Sequence, residues 1–269
     1  MRGRYRYAAV ICGFAAVICL AVGIRHYRQE QDAGREYETL RETVETVPEE
    51  EPEPAEEITE PADGTGTEEA KEDAPPEIPV DFAALQEMNP DIYAWIVVPG
   101  TNVDYPVVRR EGDNAYYLTH TAELTEGAEG AIFTEDYNSK DFQDPNTVVY
   151  GHNMRNGSMF RTLHNYQDRS FFDENRDVTV YLPDQILHYR IFAAYLYDSR
   201  HLLQSFDFAD KTVFRQYLDS IYAIRDMDSF VDASMEVNED DKILTMSTCY
   251  KGIDSLRYLV QAVLVEIEE

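Results

Sequence analysis

Three residues of the chain have the types needed for acyl transfer, and each lies beside a run with strand character. Cys249 follows the apolar run 243–246, and His152 follows the β-branched run 147–150. Arg257 comes eight residues after Cys249, at the edge of a further apolar run. A thiol at a strand end is held by the sheet and open to solvent, which suits a nucleophile. A nucleophile, a base and a fixed cation are the groups that thioester-forming acyl transfer requires.

Taken singly, these three residues have ordinary alternatives. A lone cysteine such as Cys249 is also typical of a buried structural position, because the thiol behaves as a small hydrophobe. Their common placement beside strands favours the catalytic interpretation.

Together these segments resemble the sortase family of cysteine transpeptidases, and class B sortases most closely. The family's cysteine strand reads Thr-Leu-x-Thr-Cys, and residues 245–249 read Thr-Met-Ser-Thr-Cys, with the conservative exchange of Leu for Met246. The family's histidine lies in Tyr-Gly-His-Asn, which residues 150–153 repeat, and the Asn-Gly-Ser-Met-Phe of residues 156–160 is typical of class B. The resemblance runs from about Asp81 to the C-terminus.

The resemblance implies a mechanism and a set of partners. Cys249 would attack the carbonyl that follows a Thr in the C-terminal sorting signal of a surface protein, for which an Asn-Pro-x-Thr peptide is the test substrate. His152 would protonate the departing amine. Arg257 keeps its proton, so it would hold the substrate and the developing oxyanion. An amine of peptidoglycan, or of its lipid-linked precursor, would then resolve the thioester.

Five neighbours are candidate supporting or substrate-binding residues: Ser247, Thr248, Tyr150, Asn153 and Asp136. Ser247 lies two positions before Cys249 and projects to the same side of an extended strand, although a backbone-bonded strand hydroxyl explains it equally well. Asp136 is a candidate to orient His152, with simple turn chemistry as the alternative. Tyr150 and Asn153, on either side of Gly151-His152, are candidates to line the groove, with packing and capping as the alternative.

The part of the chain from 79 to 269 has the pattern of one mainly-β domain. Many short strands with few helices predict a closed or nearly closed barrel, and the resemblance implies the eight-stranded sortase barrel with a few peripheral helices. The predicted strands are 93–98, 103–108, 131–133, 147–150, 178–182, 187–197, 242–246 and 258–267. The predicted helices are 81–88 with Asp81 as its N-cap, 113–120, 169–174 and an amphipathic segment 210–225.

Residues 1–28 have the pattern of a cytoplasmic stub and a transmembrane signal anchor. The apolar run 7–24 has 18 residues, which as a helix would span about 27 Å and so cross a bilayer. Arginines precede it, and acid dominates after it, which favours an inside N-terminus. A cleaved signal peptide is the alternative, but no small-x-small cleavage site precedes Arg25. We therefore expect a single-pass protein of the cell membrane with an extracellular catalytic domain.

Residues 29–78 are rich in Glu and Pro and predict a disordered acidic linker, because they offer little apolar surface to bury and repel one another. Its first part, 29–45, lacks proline and is compatible with a few further turns of helix. On this interpretation, a fragment that lacks residues 1–77 is soluble and active.

Charge and cysteine usage narrow the function further. The net charge of −29 argues against nucleic-acid binding, since the phosphate backbone would be repelled. Only Cys249 lies outside the apolar span, so the extracellular part forms no internal disulfide. No cofactor and no metal site are predicted, because the other histidines of this part lack ligand spacing. We expect the other four histidines of this part to lie outside the site: His120, His164, His188 and His201.

Three hypotheses from different classes therefore stand. The first is a sortase transpeptidase. The second is another cell-wall cysteine enzyme, but the Ser-x-Gly-Cys-x-Arg segment of L,D-transpeptidases is absent, and papain-like peptidases place Cys before His. The third is a membrane-tethered binding module without catalysis.

Overall fold

The computed structural model describes residues 76–269 together with Leu20, Gly23, Tyr37, Leu40 and Arg41. Apart from these five residues, the predicted stub, membrane anchor and linker up to residue 75 lie outside the described residues. Within the described part of the chain, no helix has the length and apolar character needed to cross a membrane.

Nine strands of the described residues form a single sheet. Their bounds are β1 Ile92–Val98, β2 Val103–Val108, β3 Ile132–Thr134, β4 Asn146–Tyr150, β5 Asp177–Tyr181, β6 Ile186–Asp198, β7 Phe230–Val231, β8 Ile243–Tyr250 and β9 Ile253–Glu268. The eight predicted strands are therefore confirmed in place. The two-residue β7 was not predicted, and β9 begins before the predicted position 258.

The sheet closes into a barrel of eight strands. Its order is β5-β1-β2-β3-β4-β8-β9-β6-β7, and β5 also pairs with β6, which closes the ring. The short β7 only extends the edge of β6, at Ala193 and Ala194. The strands β4 and β8 are parallel neighbours, and β8 and β9 are antiparallel. This topology confirms the mainly-β, eight-stranded barrel.

Between residues 76 and 269, four α-helices lie around the barrel: α1 Phe82–Met88, α2 Arg169–Glu174, α3 Leu202–Ser205 and α4 Lys211–Tyr222. The Asp81 side chain caps α1 by accepting from the backbone N–H of Ala84, as predicted. The apolar stripe of α4 is also confirmed, because Phe214, Leu218 and Ile221 are buried against the barrel.

The helix predicted at 113–120 is wrong, since only a 3₁₀ turn forms, at Tyr116–Leu118. The carbonyls of Asp113, Ala115 and Tyr116 accept from N–H groups three positions ahead, which is the 3₁₀ pattern. The next two carbonyls have distant partners, since that of Tyr117 accepts from the backbone of Ala131 and that of Leu118 pairs with the His152 ring. These long-range bonds prevent the turn from continuing as a helix. A longer 3₁₀ helix, Phe160–Gln167, was not predicted.

Three residues of the predicted linker pack on the barrel, so the linker prediction is corrected at that point. Tyr37, Leu40 and Arg41 have helical conformation, in agreement with the helix allowed for 29–45. Tyr37 and Leu40 are only 3% and 5% exposed and belong to the barrel's hydrophobic core. Tyr37 and Leu40 are three positions apart, so on a helix they share the face that is buried, despite the acidic surroundings in the sequence.

Candidate active site

Cys249 lies on β8, one residue before the strand ends, and its register partner on β9 is Arg257. Cys249 is exposed, whereas its neighbours in β8 are buried. The Arg257 guanidinium donates to the carbonyls of Asp254 and Leu256, both at 3.0 Å. None of the salt bridges found among the described residues includes Arg257. Its charge is therefore held in place without a carboxylate partner, beside an accessible thiol.

His152 is brought to β8 by the parallel pairing of β4. Tyr150, the last residue of β4, is the register partner of Ser247, and the next N–H, that of Gly151, donates to the Ser247 carbonyl at 3.1 Å. Position 151 has no room for a side chain, since a Cβ there would lie 2.5 Å from Ile132. A glycine therefore lets β4 run close to its neighbours just before the imidazole.

The His152 ring is oriented by a backbone carbonyl. Its Nε2 lies 2.8 Å from the oxygen of Leu118. A carbonyl oxygen only accepts, so Nε2 carries the hydrogen, and Nδ1 is the nitrogen able to take up or release a proton. The backbone of His152 is held as well, because its carbonyl accepts from Phe160 N–H at 2.9 Å.

A single pocket, with a volume of about 230 Å³, is lined by all three predicted catalytic residues. His152 thus meets Cys249 and Arg257, which lie about a hundred residues later in the chain on the neighbouring strands β8 and β9. Three of the predicted supporting residues, Ser247, Thr248 and Tyr150, line the same pocket. The arrangement can present a thiol, a proton carrier and a cation to one bound acyl group.

The backbone carbonyl of Cys249 is held by two side chains. Asn153 Nδ2 donates to it at 2.8 Å, and His164 Nε2 lies 3.1 Å from it. Burial lowers the pKa of His164 to about 4, although the bond to the Cys249 carbonyl opposes that shift. His164 is therefore neutral at pH 7, and its Nε2–H donates. The His164 ring is also stacked on Tyr258, 5.1 Å between centroids.

The lesser candidates differ in their surroundings. Ser247 is buried and lines the pocket. Thr248 also lines the pocket, and its buried hydroxyl has no hydrogen-bond partner among the described residues. Tyr150 donates its hydroxyl to Glu135 at 3.2 Å. Burial raises the pKa of Tyr150, and the Glu135 carboxylate adds to the effect, so the phenol remains a donor. Asn153 contacts the Cys249 backbone rather than lining the pocket.

Asp136 has a partner other than the one predicted. Its carboxylate accepts from Asn114 Nδ2 at 2.6 Å, and its N–H donates to the side-chain oxygen of Asn114 at 2.9 Å. The ring of His152 is hydrogen-bonded to Leu118 instead. Asp136 thus bonds a residue 22 positions away rather than its own turn, and the orienting role is corrected to a backbone carbonyl.

Two histidines that were expected to lie outside the site contact it. His164 binds the Cys249 carbonyl, and His201 lines the pocket with its Nε2 2.6 Å from the Glu135 carboxylate. His164 lies on the 3₁₀ helix that follows the motif 156–160, and His201 directly precedes α3, so both reach the site through the packing of these elements. In the part of the chain that the structure describes, no group of three or more metal-binding side chains is arranged around one point.

Comparison with known proteins identifies the family. Residues 96–265 match the family model of the sortase domain. The chain is 32% identical over 183 residues to sortase B of Listeria monocytogenes, covering 67% of this chain and 72% of the relative. The chain belongs to the sortase family. Solved structures point to the same class: sortase B of Clostridium perfringens has a TM-score of 0.62 and 33% identity, over 68% of this chain and 99% of its own.

A second solved structure, the sortase B–substrate complex of Staphylococcus aureus, has a TM-score of 0.60 and 27% identity, over 69% of this chain and 84% of its own. This chain is therefore a class B sortase and a cysteine transpeptidase. Of the three hypotheses from the sequence, the first is confirmed. The matched range contains Cys249, His152 and Arg257.

Proposed function

We propose that this sortase is a membrane-anchored transpeptidase that cleaves a C-terminal sorting signal after Thr and transfers the acyl group to an amine of the cell wall. The observation that carries the proposal is the direct pairing of Cys249 with Arg257, with His152 on the same pocket. A nucleophile, a cation and a proton carrier around one cavity are the groups that this acyl transfer needs.

In the acylation step, Cys249 Sγ attacks the backbone carbonyl carbon of the Thr in the sorting signal. The carbon–sulfur bond forms, and the carbon–nitrogen bond to the next residue breaks. Nδ1 of His152 first takes the proton of the Cys249 thiol and then gives it to the departing amine, while its Nε2–H stays bonded to Leu118. The Leu118 bond thereby keeps one ring edge fixed while the other exchanges protons.

Arg257 is assigned to the developing negative charge. Its guanidinium keeps its proton at all working pH values, so it serves as a donor and never as the base. Donors that are already fixed before the reaction stabilise an oxyanion most effectively, because they need no reorganisation. The two backbone carbonyls that hold the guanidinium favour such a fixed position.

In the second step, an incoming amine attacks the thioester. Nδ1 of His152 takes the proton of the amine, the new amide bond forms, and the thiolate of Cys249 leaves and recovers its proton. The proposed amine belongs to peptidoglycan or its lipid-linked precursor. The proposed carboxyl donors are surface proteins that carry a sorting signal, which is supported by the substrate complex of the S. aureus relative.

Ser247 and Tyr150 are proposed to contact the bound signal, since both line the pocket beside Cys249. The proposed location is the cell membrane, with the anchor in residues 1–28, the N-terminus inside and the barrel outside. No nucleic-acid partner is proposed, given the net charge of −29.

Incubation of the protein with an Asn-Pro-x-Thr peptide and an amine tests the proposal. We expect cleavage after Thr and an amide product that contains the amine, both detected by mass spectrometry. Cys249→Ala and Arg257→Ala should each abolish the product. Turnover that survives both substitutions would refute the assignment.

A further inference from the structure

The helical residues before the barrel pack beside the two segments that hold His152. Tyr37 and Leu40 are three positions apart, and Tyr37 and Arg41 four, so on a helix they share one face. This face is directed at the barrel, where Tyr37 is 3% exposed. Tyr37 does not line the pocket, and it contacts the histidine's supports in two ways.

The first way runs through the Tyr37 hydroxyl. It donates to the carbonyl of Gly130 at 2.9 Å and lies 3.4 Å from the N–H of Ala122. Gly130 has a φ of +57°, and a Cβ at that position would lie 2.3 Å from the carbonyl oxygen of Tyr117 and 3.1 Å from His152 Cδ2. The backbone that Tyr37 binds is therefore packed directly against the imidazole.

The same backbone also supports the acceptor of the imidazole. Ala131, next to Gly130, donates its N–H to the Tyr117 carbonyl at 3.0 Å. The following carbonyl, that of Leu118, is 2.8 Å from His152 Nε2. Release of Gly130 would thus loosen both the surface under the ring and the carbonyl that selects its tautomer.

The second way runs through the Tyr37 ring. It meets the Tyr105 ring edge-on at 5.0 Å and 89°, and the Tyr105 hydroxyl accepts from the N–H of Met159 at 3.0 Å. The next N–H, that of Phe160, donates to the carbonyl of His152. The backbone of the histidine is therefore braced from the same side as its ring.

Arg41 also contacts Tyr105. Its guanidinium lies 4.8 Å from the centre of the Tyr105 ring, and its Nε donates to the carbonyl of Asp104 at 2.9 Å. The ring of Tyr105 is thus in contact with both Tyr37 and Arg41. Both residues come from the range that the sequence predicts as linker.

We propose that Tyr37 is a positioning residue for His152, supported by Arg41, so that the segment preceding the barrel contributes to the reaction without touching the substrate. The inference rests on the proposed role of His152 as the proton carrier. Without the Tyr37 hydroxyl, the Gly130 carbonyl loses its donor, and the imidazole loses the fixed Nε2–H form that leaves Nδ1 free for proton exchange.

The test is Tyr37→Phe in the full chain, which removes the hydroxyl and keeps the ring. We expect kcat to fall about 5- to 10-fold, the effect of losing one buried hydrogen bond, with KM within about twofold. In protein with ¹⁵N-labelled histidine, the His152 ring nitrogens should shift from a pure Nε2–H pattern towards a mixture of tautomers. His152→Gln assigns the resonances.

Tyr217→Phe is the matched control. Its hydroxyl is also buried and hydrogen-bonded, to Tyr195 and Gln261, but it belongs to α4 on another face of the barrel. We expect a similar loss of thermal stability with unchanged kcat and unchanged His152 resonances. Equal kcat losses in the two variants, or unchanged kcat and resonances in Tyr37→Phe, would overturn the proposal.

A second variant covers the case in which Tyr37→Phe does not fold. Arg41→Met removes the cation over Tyr105, and we expect it to lower kcat about 2- to 5-fold and to broaden the His152 resonances. Unchanged kcat and resonances in Arg41→Met would then overturn the proposal.

Failure of this inference can be distinguished from failure of the proposed function. If His152→Gln turns over peptide at the wild-type rate, the proposed role of His152 is wrong. The ring resonances still report whether Tyr37 positions the imidazole, because they are read without substrate.

Discussion

Cys249 and Arg257 are direct register partners on the antiparallel pair β8 and β9. Side chains of such partners start about 4.5–5.5 Å apart at their Cβ atoms, so the sheet brings the two side chains out side by side, and both line the same pocket. Arg257 also precedes the fully buried part of β9, where the core begins at Tyr258. This pair therefore lies where the barrel's packed interior ends and the pocket begins.

The shape of the Arg257 side chain is expected to be as important as its charge. Arg257→Lys keeps the cation but loses the planar fork, and we expect kcat to fall about 10²- to 10³-fold, as for loss of an oxyanion donor. Steady-state kinetics with the signal peptide measure this. Arg190→Lys, in an exposed pair with Asp177, is the control and should leave kcat unchanged. Comparable activity in both variants would argue against an oxyanion role for Arg257.

The exposure of Cys249 predicts rapid modification of its thiol. In a chain that carries Cys12→Ser and Cys19→Ser, we expect a methanethiosulfonate reagent to add one label at Cys249, seen by intact mass, and to abolish turnover. Cys249→Ala in the same background is the control and should add none. A chain that stays unlabelled until it is denatured would mean that the thiol is sealed in the interior.

The bond from Asn153 to the Cys249 carbonyl predicts a positioning effect on the thiol. Asn153→Ala removes a 2.8 Å hydrogen bond, and we expect kcat to fall about 5- to 10-fold while KM changes little. Steady-state kinetics test this. Asn165→Ala is the control, because Asn165 lies exposed on the 3₁₀ helix that carries His164. Full activity of Asn153→Ala would show that the sheet alone holds the thiol.

The low pKa of His164 predicts that acid weakens the fold. Burial lowers this pKa to about 4, whereas the unfolded chain has a value of about 6.5. Between these values the unfolded chain binds a proton that the folded chain does not bind. The free energy of unfolding therefore falls as the pH drops from about 6.5 to about 4, and is unaffected by this group above that range.

Urea unfolding at about pH 7 and at about pH 4.5 tests the role of His164. His164→Gln keeps a donor near the Cys249 carbonyl but cannot titrate, so the difference in unfolding free energy between the two pH values should shrink. A difference as large as that of the wild type would show that other groups cause the acid sensitivity. The unfolding free energies of wild type and His164→Gln at about pH 7 show how much packing the substitution loses, separately from its effect on titration.

The packing of Tyr37 and Leu40 alters what is expected of truncated chains. A fragment of residues 78–269 lacks both side chains, and burial of each contributes about 1.5–3 kcal/mol. We expect this fragment to melt at a lower temperature and to turn over more slowly than a fragment of residues 30–269. Differential scanning calorimetry and kinetics on the two fragments test this. Equal melting temperatures would support a linker without contacts across 29–78.

Much of the fold could be predicted because the strands carry local signals. The runs that became β1, β2 and β4 are β-branched or apolar and bounded by turn residues, so they were found within one or two positions. The segment 113–120 was predicted wrongly as a helix, since only a 3₁₀ turn forms there. The carbonyls of Tyr117 and Leu118 are taken by Ala131 and His152, which lie distant in the sequence.

The barrel class, the family and the three predicted site residues could be inferred from the residues alone, because Cys249 and His152 lie in contiguous motifs beside strands and Arg257 closely follows Cys249. The groups that hold these residues could be identified only in the folded chain: Leu118 bonds the imidazole, Asn153 and His164 bond the Cys249 carbonyl, and Tyr37 bonds Gly130. A strand's periodicity is carried by neighbouring residues, so a local pattern indicates it. Contacts between loops and a distant helix depend on how whole elements pack, which no local pattern encodes.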